Sequence, residues 1–266
     1  MAQTLGPLTS LDEDVQELHV YNWLHATDPS VLHDKFCDTY EPGTGEWLFR
    51  SPEWSSWLEE KSRCLWVHGI PGAGKTIFAS HLIETVRDYC ADRGSRYACV
   101  YYYCYYGHAQ DETTPFLRWI LLELCRQLGR VPLAVYELYR HGGPPSSRSL
   151  LRAIQVTVQL FDRVYVFVDA LDESLHRHNL LRILRDLATD PRFENLRVLA
   201  TSREYIDIEE AMRDISIPIS MRNYLLDQDI ALYVRSRLSS HRRLKRWPPQ
   251  LREDVAEALS TKANGM

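Results

Sequence analysis

The fold is decided by residues 64–77, which read CLWVHGIPGAGKTI and contain a complete G-x-x-x-x-G-K-[ST] pattern. The apolar run at residues 64–67 predicts a strand, and residues 77–83 continue with the composition of a helix. This strand–loop–helix context is the one in which the pattern forms a phosphate-binding loop. Its glycines let successive backbone N–H groups point at phosphate oxygens, and the following helix adds the positive end of its dipole.

Each part of the loop has an expected role in holding a nucleoside triphosphate. We expect Lys75 to reach the β and γ phosphates and the Thr76 hydroxyl to bind Mg²⁺. The alternative, a glycine-rich turn that merely precedes a helix, is disfavoured by the flanking strand and helix. The residues predicted to contact the nucleotide are Gly69, Ile70, Pro71, Gly72, Ala73, Gly74, Lys75, Thr76 and Ile77.

A second element is the acidic segment at residues 164–173, VYVFVDALDE. Its apolar residues predict a buried central strand whose end brings Asp169 beside the loop, where a carboxylate can hold Mg²⁺ opposite Thr76. Asp172 and Glu173 follow closely, and one of them is placed to orient or deprotonate an attacking water. The alternative interpretation is that this acidic pair caps the helix that follows.

A third element is the segment at residues 196–203, LRVLATSR, a predicted strand that ends in two hydroxyl residues and an arginine. Arg203 is suited to sense or neutralise the charge of a γ-phosphate. An arginine after a strand is common, so the assignment depends on the neighbouring acidic strand. We therefore count Arg203 with Asp172 and Glu173 as candidate catalytic residues.

Strands and helices alternate along the middle of the chain, which predicts a parallel sheet covered on both faces. Residues 1–60 are predicted to be a helical adapter, and residues beyond 219 are predicted to be helical, with Asp229 as the cap or a first-turn acid of one helix. The tyrosine-rich run 101–106 indicates an edge strand rather than a base-stacking platform. The predicted strands are 63–68, 97–106, 163–168, 196–201 and 215–219; the predicted helices are 15–24, 54–60, 76–87, 115–128, 150–161, 179–188, 206–213, 229–238 and 251–263.

Amino-acid composition limits which binding partners and which cellular compartment can be expected for this chain. The 266 residues carry a net charge of −5, which gives no global basic field for nucleic acid. The basic cluster at residues 241–246 indicates a solvated helix end, with an anionic partner as the alternative. The six cysteines lack the paired short spacings of a zinc site or a disulfide framework, which predicts a reducing, cytoplasmic environment. We expect no signal peptide and no membrane span.

The three elements together resemble a NACHT domain, the nucleotide-binding module of the signal-transducing ATPases with numerous domains (STAND class). The acidic variant of that family is matched by residues 168–173, VDALDE. The wider chain is similar to fungal ankyrin-associated NACHT proteins of the nephrocystin-3-like N-terminal type. The supporting segments are 41–47 (EPGTGEW), 65–72 (LWVHGIPG), 201–203 (TSR) and 262–266 (KANGM).

The resemblance implies an α/β fold, a P-loop NTPase three-layer sandwich with a five-stranded parallel sheet of order 5-1-4-3-2. It implies a helical adapter at 1–60, a nucleotide-binding domain at 61–220 and the start of a helical lid at 221–266. Relatives typically continue past a Gly-Met-Phe motif, so we expect the lid to be cut short at Gly265-Met266. The turn at residues 43–46 is expected either to line the adenine side or to be a plain loop that packs Trp47.

The implied function is an ATP-binding signalling switch with slow Mg²⁺-dependent hydrolysis, using ATP/ADP and Mg²⁺, in fungal innate-immunity or incompatibility-type signalling. The implied partners are a homo-oligomer formed through the NTPase domain and the effector or repeat-sensor domains of longer relatives. One alternative is a P-loop kinase with an arginine-rich lid, although Arg118, Arg126 and Arg130 have the spacing of a solvated helix face. A second alternative is a non-catalytic nucleotide-binding scaffold.

Overall fold

The computed structural model describes residues 8–59 and 62–262 and contains a five-stranded sheet with the strand order β2-β3-β4-β1-β5. Every neighbouring pair in it is parallel. Read from the other edge, this order is 5-1-4-3-2, so the predicted fold class and sheet order are confirmed. The strands are Cys64–His68 (β1), Tyr97–Tyr103 (β2), Arg163–Asp169 (β3), Leu196–Ser202 (β4) and Ile217–Ser220 (β5).

Helices cover both faces of the sheet because alternate side chains of each strand point to opposite sides. In β3, Val164, Val166 and Val168 enter one hydrophobic cluster, whereas Tyr165 and Phe167 enter the other. The α-helices of the described residues are Leu8–Leu24 (α1), Ser30–Cys37 (α2), Glu46–Phe49 (α3), Pro52–Glu59 (α4), Lys75–Arg93 (α5), Thr113–Leu128 (α6), Leu133–Arg140 (α7), Ser147–Val158 (α8), His178–Thr189 (α9), Ile206–Met212 (α10), Tyr224–Ser240 (α11) and Pro249–Lys262 (α12).

The register of the sheet aligns the carboxyl ends of its central strands. His68 at the end of β1 pairs with Ser202 at the end of β4. Val168 of β3 pairs with Ala200 of β4, and Asp169 pairs with Tyr103 of β2. The segments that follow β1, β3 and β4 therefore meet at one edge, where open α/β sheets bind their ligands.

The N-terminal helices pack against both faces of the sheet. Val20 and Leu24 of α1 belong to one cluster, and Trp54 and Trp57 of α4 belong to the other. The Trp57 indole N–H donates to the carbonyl of Val198 in β4 at 2.8 Å. These contacts explain why the adapter is helical although its own apolar periodicity is weak: packing on the sheet, more than propensity, stabilises it.

Several helix bounds differ from the sequence predictions. Helix α1 begins at Leu8 rather than at residue 15, and α5 continues to Arg93, where Gly94 ends it with a positive φ of 93° that favours glycine. Helices α2 and α7 lie in stretches for which no helix was predicted, and α2 buries the polar residue His33. The predicted ends at residues 60 and 263, and the segment 263–266, lie outside the described residues.

The tyrosine-rich run was predicted in part correctly. Strand β2 lies at the edge of the sheet, as expected, but it ends at Tyr103 rather than at residue 106. A short 3-10 turn, Tyr106–His108, follows it. Tyr102 and Tyr103 are buried on opposite faces, which is the packing role expected of aromatic residues in a half-covered strand.

Two sequence predictions about individual side chains were wrong. Asp229 does not cap α11, because Asn223 does so through its side chain, which accepts from the N–H of Leu226. Arg118 does not belong to a solvated face, because its guanidinium donates to the carbonyls of Trp23 and Leu24 at the end of α1. Among the helices of the described residues, none has both the length and the apolar character needed to cross a bilayer.

Candidate functional site

The loop between β1 and α5 has the open curled shape that the pattern predicted. Gly72 and Gly74 have φ values of 82° and 81°, in the left-handed region that favours glycine. A Cβ added at Gly74 would meet no described atom within 4 Å, so this glycine serves backbone conformation rather than close packing. Gly69, by contrast, allows a close approach, since its added Cβ would lie 2.8 Å from the Cβ of Met221.

The Lys75 ammonium lies over the loop that precedes it. Its Nζ donates to the carbonyl oxygens of Gly69 at 2.8 Å and Ile70 at 2.9 Å. Burial lowers the pKa of Lys75, whereas the charges of Asp172 and Asp169 raise it. The cation is thus held at the loop by oxygen atoms and by two carboxylates, in the place where phosphate oxygens would compete for its protons.

Asp169 lies at the end of β3, buried beside the loop. The Thr201 hydroxyl of β4 donates to its Oδ1 at 2.5 Å, and the side chain of Thr76 also hydrogen-bonds to it. Burial raises the pKa of Asp169 to about 6, the two threonine hydrogen bonds oppose this shift, and the nearby acids Glu173 and Asp172 add to it. A carboxylate that is buried beside two further acids and a hydroxyl is a fitting ligand for a hard divalent cation.

A single hydroxyl joins the ends of β3 and β4. Thr201 Oγ1 accepts from the backbone N–H of Ala170 at 3.0 Å while it donates to Asp169. Ala170 itself has φ 58° and ψ 49°, a left-handed conformation that is uncommon for a residue with a Cβ. The backbone therefore turns sharply after Asp169 and carries Asp172 and Glu173 back toward the loop.

Asp172 and Arg203 form a pair across the ends of β3 and β4. Asp172 Oδ1 accepts from the backbone N–H of Arg203 at 2.9 Å, and Oδ2 lies 3.1 Å from the Arg203 Nε. Only 5% of the Asp172 side chain is exposed, against 43% of the Arg203 side chain. In this arrangement Asp172 positions Arg203, and the guanidinium keeps access to the cavity.

Glu173 has a different contact from its neighbour. Its Oε2 accepts from the backbone N–H of Tyr106 at 3.1 Å, in the turn that follows β2. The acidic pair predicted from the sequence is therefore divided between two tasks. One acid contacts the arginine, and the other links the site to the edge strand.

These groups line a small polar cavity of about 250 Å³, here called the phosphate cavity. Most of its wall consists of residues singled out from the sequence, since the loop, the acidic pair and the arginine meet there. Asp169 lies next to this cavity through its bonds to Thr76 and Thr201. The lining residues are Pro71, Gly72, Gly74, Lys75, Thr76, Ile77, Ala170, Asp172, Glu173, Thr201 and Arg203.

A second cavity of about 550 Å³, here called the apolar cavity, lies on the other side of the same loop. Gly72, Ala73, Gly74, Ile77 and Phe78 contribute its floor. Residues 39–41 and the adapter turn at Thr44 and Gly45 contribute one side, and Met221 with helices α11 and α12 contributes the rest of the wall. The lining residues from those helices are Leu226, Asp229, Ile230, Tyr233, Val234 and Leu259.

Asp229 connects the adapter to α11 at the rim of the apolar cavity. Its Oδ2 accepts from the backbone N–H of Gly45 and from the indole N–H of Trp47, each at 2.9 Å. Burial raises the pKa of Asp229, and these two hydrogen bonds oppose the shift. The sequence analysis did not predict these hydrogen bonds, because Gly45 and Trp47 lie 184 and 182 positions away from Asp229.

A family model described as nephrocystin 3, N-terminal, matches residues 43–203, which is more than half of the chain. The chain belongs to this family. The matched span includes the adapter turn, the phosphate-binding loop, the acidic strand and Arg203, so the family resemblance stated from the sequence is confirmed at this level. No curated protein matches the chain.

Solved structures of P-loop ATPases share the fold. The Aeropyrum pernix ORC2 protein, solved as ADPNP–ADP complexes, is 18% identical with a TM-score of 0.50 and matches 84% of this chain and 59% of its own. The Aeropyrum pernix ORC1 protein in complex with DNA is 12% identical with a TM-score of 0.54, covering 84% and 56% of the two chains. The Walker-type ATPase PABY2304 of Pyrococcus abyssi is 13% identical with a TM-score of 0.50, covering 80% and 61%. The nephrocystin 3 family chain thus spans less than two thirds of each of these proteins.

Proposed function

We propose that this protein is an ATP-binding switch of the NACHT type, with slow Mg²⁺-dependent hydrolysis of ATP. The observation that carries the proposal is the pairing of the buried Asp169 carboxyl with Thr76 beside an open, glycine-curled loop. A lysine, a hydroxyl and a carboxylate lie near one another there, and these are the side-chain groups that would bind a Mg²⁺–polyphosphate. The fold of the P-loop ATPases described above supports this assignment.

The loop supplies the groups that would hold the polyphosphate. Gly72, Gly74, Lys75 and Thr76, at the loop and the N-terminus of α5, line the phosphate cavity and would offer backbone N–H groups there, and Lys75 would exchange its bonds to Gly69 and Ile70 for phosphate oxygens. Thr76 and Asp169 are the residues that would hold Mg²⁺. When bound, Mg²⁺ neutralises charge on the β and γ phosphates during transfer to water.

The acidic pair and the arginine divide the remaining work. Arg203, held by Asp172, contacts the γ-phosphate and stabilises the charge that develops on it. Glu173 lines the same cavity and is the stronger candidate for orienting or deprotonating the attacking water, because both Asp172 oxygens already contact Arg203. Asp172 then acts on the reaction through the position of Arg203.

The apolar cavity is the proposed site of the base. Its volume and its largely apolar wall suit an adenine ring, and it adjoins the phosphate cavity along Gly72, Gly74 and Ile77. The adapter turn at residues 43–46 is then the adenine-side wall, as one of the two sequence interpretations has it. The sequence contains no Asn/Thr-Lys-x-Asp motif that would read guanine.

The same cavity explains how a nucleotide acts as a switch. Helices α11 and α12 and the adapter all contribute to it, so binding of ATP or ADP would favour different arrangements of these parts. We propose that the ATP state forms a homo-oligomer through the nucleotide-binding domain and signals to effector or repeat-sensor domains, in cytoplasmic signalling of the fungal immunity or incompatibility type. The domain division at 1–60, 61–220 and 221–266 belongs to this proposal.

Two measurements test the proposal together. Mass spectrometry of the nucleotide that co-purifies with the protein should find ATP or ADP, and size measurements with and without ATP should differ. A preference for GTP, or no affinity for any nucleotide, would contradict it. Phosphate transfer to a small acceptor would favour the kinase alternative, and tight binding without any turnover would favour the scaffold.

A further inference from the structure

Helix α2 and helix α5 bring three potential metal ligands together, on the sheet face that also carries Tyr101 and Tyr103 of β2. His33, Cys37 and Glu84 each offer one ligand atom, and these atoms lie within 4.8 Å of one another. Among the described residues, no other three histidine, cysteine or acidic side chains are grouped closely enough to bind one ion. We propose that His33, Cys37 and Glu84 bind Zn²⁺.

The distances suit a tetrahedral zinc ion. The Cys37 Sγ lies 3.5 Å from the His33 Nε2, and the Glu84 Oε1 lies 2.9 Å from the same nitrogen. With Zn–N near 2.0 Å and Zn–S near 2.3 Å, a tetrahedral angle places nitrogen and sulfur roughly 3.5 Å apart. By the same rule nitrogen and oxygen lie roughly 3.3 Å apart. The carboxylate therefore retreats by a few tenths of an ångström, which a side chain with 46% exposure can do.

The chemistry of the three ligands selects zinc over the harder cations. A thiolate and an imidazole favour Zn²⁺, whereas Mg²⁺ and Ca²⁺ take oxygen ligands. His33 and Cys37 are four residues apart in α2, so they lie on one face of that helix. Three protein ligands leave a fourth position for water.

The imidazole is already oriented for this role by a second contact. Its Nδ1 lies 2.9 Å from the Tyr103 hydroxyl of β2, and its ring stacks on Tyr101 with centroids 4.3 Å apart. Only 2% of His33 is exposed, so the ring is held with Nε2 directed at the other two ligands. A partner on the far nitrogen is the usual arrangement of a histidine that binds zinc.

Existing hydrogen bonds of the three proposed ligands must give way when the ion binds. The Glu84 Oε1 also accepts from the Arg87 guanidinium at 2.8 Å, and Arg87 is half exposed, so it can turn toward solvent. Burial and the nearby charge of Glu84 raise the pKa of the Cys37 thiol, so this sulfur carries a proton that Zn²⁺ displaces to water. The ion replaces that proton and the hydrogen bond between His33 and Glu84.

The ion would join the adapter to the nucleotide-binding helix. Glu84 lies in α5, whose first two residues are Lys75 and Thr76, whereas His33 and Cys37 lie in α2. Zinc at this point therefore fixes α2 on α5 and stabilises the folded protein. This site could not be predicted from the sequence, because one cysteine, one histidine and one glutamate from two helices produce no paired cysteine spacing.

Cobalt titration of the full chain, freed of metal by dialysis against a chelator, tests the proposal. We expect one equivalent of Co²⁺ to give a thiolate-to-cobalt absorption band together with the visible bands of tetrahedral cobalt, and Zn²⁺ to abolish both by displacement. Cys37→Ser should lose the thiolate band, and Cys90→Ala, a buried cysteine of α5, should keep it. Absence of the band in the unchanged protein, or its persistence in Cys37→Ser, overturns the proposal.

Two further variants separate ligation from folding. Glu84→Gln changes a half-exposed side chain, so it should leave the metal-free melting temperature near that of the unchanged protein and weaken Zn²⁺ binding about 100-fold or more. Tyr103→Phe removes only the hydroxyl behind the imidazole and should weaken Zn²⁺ binding roughly 10- to 100-fold. Unchanged zinc affinity in Glu84→Gln contradicts the assigned ligand set, whether or not the protein binds nucleotide.

Discussion

The phosphate cavity and the apolar cavity share one loop as a wall, but they are built in different ways. The phosphate cavity is formed by segments that directly follow β1, β3 and β4, so the register of one sheet brings them together. The apolar cavity is formed by the adapter turn, α5, α11 and α12, which meet only through tertiary packing. Chemistry attached to strand ends can therefore be located in a sequence, whereas a cavity between distant helices cannot.

The largest predicted effect, which tests the phosphate cavity separately from the apolar cavity, is on the rate of ATP hydrolysis. Replacing Asp172 by Asn and Glu173 by Gln should leave ATP binding in place and lower hydrolysis by roughly 10² to 10⁴-fold, the usual contribution of a positioned base. The measurement is phosphate release under single-turnover conditions beside an ATP-binding titration. Normal turnover would show that the water is activated by another group.

The single variants distinguish the two acids. Glu173→Gln should reproduce most of the loss, whereas Asp172→Asn should act through Arg203 because it weakens the contact to the guanidinium. If Asp172→Asn alone gave the whole loss and Glu173→Gln none, the assignment of the base to Glu173 would be wrong.

The second predicted effect concerns the affinity of the phosphate cavity for the triphosphate of ATP. Lys75→Ala removes the ammonium at the loop and should weaken ATP binding about 100-fold or more, because a charge-assisted contact to phosphate is lost. The far-ultraviolet circular dichroism should stay unchanged. Lys245→Ala, an exposed lysine far along the chain, serves as the matched control. Retained ATP binding in Lys75→Ala would refute the role of the loop.

The third predicted effect concerns Asp169, whose substitution should change the free energy of unfolding and the Mg²⁺ dependence of ATP binding in different ways. Because burial raises the pKa of Asp169 from its ordinary 3.8 to about 6, the folded protein keeps this proton to a higher pH than the unfolded chain does. The free energy of unfolding of the metal-free protein should therefore fall as the pH rises through that window. Asp169→Asn removes this penalty and should raise the free energy of unfolding at pH 7 by on the order of 1–3 kcal/mol.

The same substitution should abolish the Mg²⁺ dependence of ATP binding, since the neutral amide is a poor ligand for Mg²⁺. Thermal unfolding with and without Mg²⁺–ATP measures both effects. Asp88→Asn, an exposed acid of α5, should change neither. An Asp169→Asn protein that is less stable than the original at pH 7 would argue against the buried, proton-retaining carboxyl.

The smallest effect concerns the apolar cavity. Asp229→Ala removes the acceptor shared by Gly45 and Trp47 and should weaken ATP binding about tenfold, the loss expected from two hydrogen bonds that order one wall. Binding of inorganic tripolyphosphate should not change, because it uses the phosphate cavity alone. Asp227→Ala, an exposed acid of the same helix, is the control. Equal losses for both ligands would show that the two cavities do not separate base from phosphate.

The sheet order was implied by the family resemblance, whereas the sequence itself located the loop, Asp169 and Arg203 at the ends of predicted strands. Each of these follows from a local pattern or from the alignment of parallel strand ends. The division of labour between Asp172 and Glu173 was not predictable, because it depends on the turn that the left-handed Ala170 produces and on the position of Tyr106. Residues adjacent in sequence contact different elements there.

The role of Asp229 was misread for a physical reason. An acid near the start of an apolar helical pattern usually stabilises the first turn, but here Asn223 takes that position six residues earlier. Helix α2 was missed because it is short and the contacts that hold it, from Leu32, His33 and Phe36, are made to α5, β2 and the core rather than within the helix. Both errors concern residues whose partners are far along the chain.

Thr201 has a consequence for how the site responds to acid. The Thr201 hydroxyl donates its hydrogen to Asp169 and accepts the N–H of Ala170. The hydrogen bonds therefore run from Ala170 through Thr201 to Asp169. When the carboxyl takes up a proton near pH 6, one of its oxygens becomes able to donate as well as accept. Proton uptake at this one buried carboxyl thereby changes the hydrogen bonding available to Thr201 at the end of β4, two residues before Arg203.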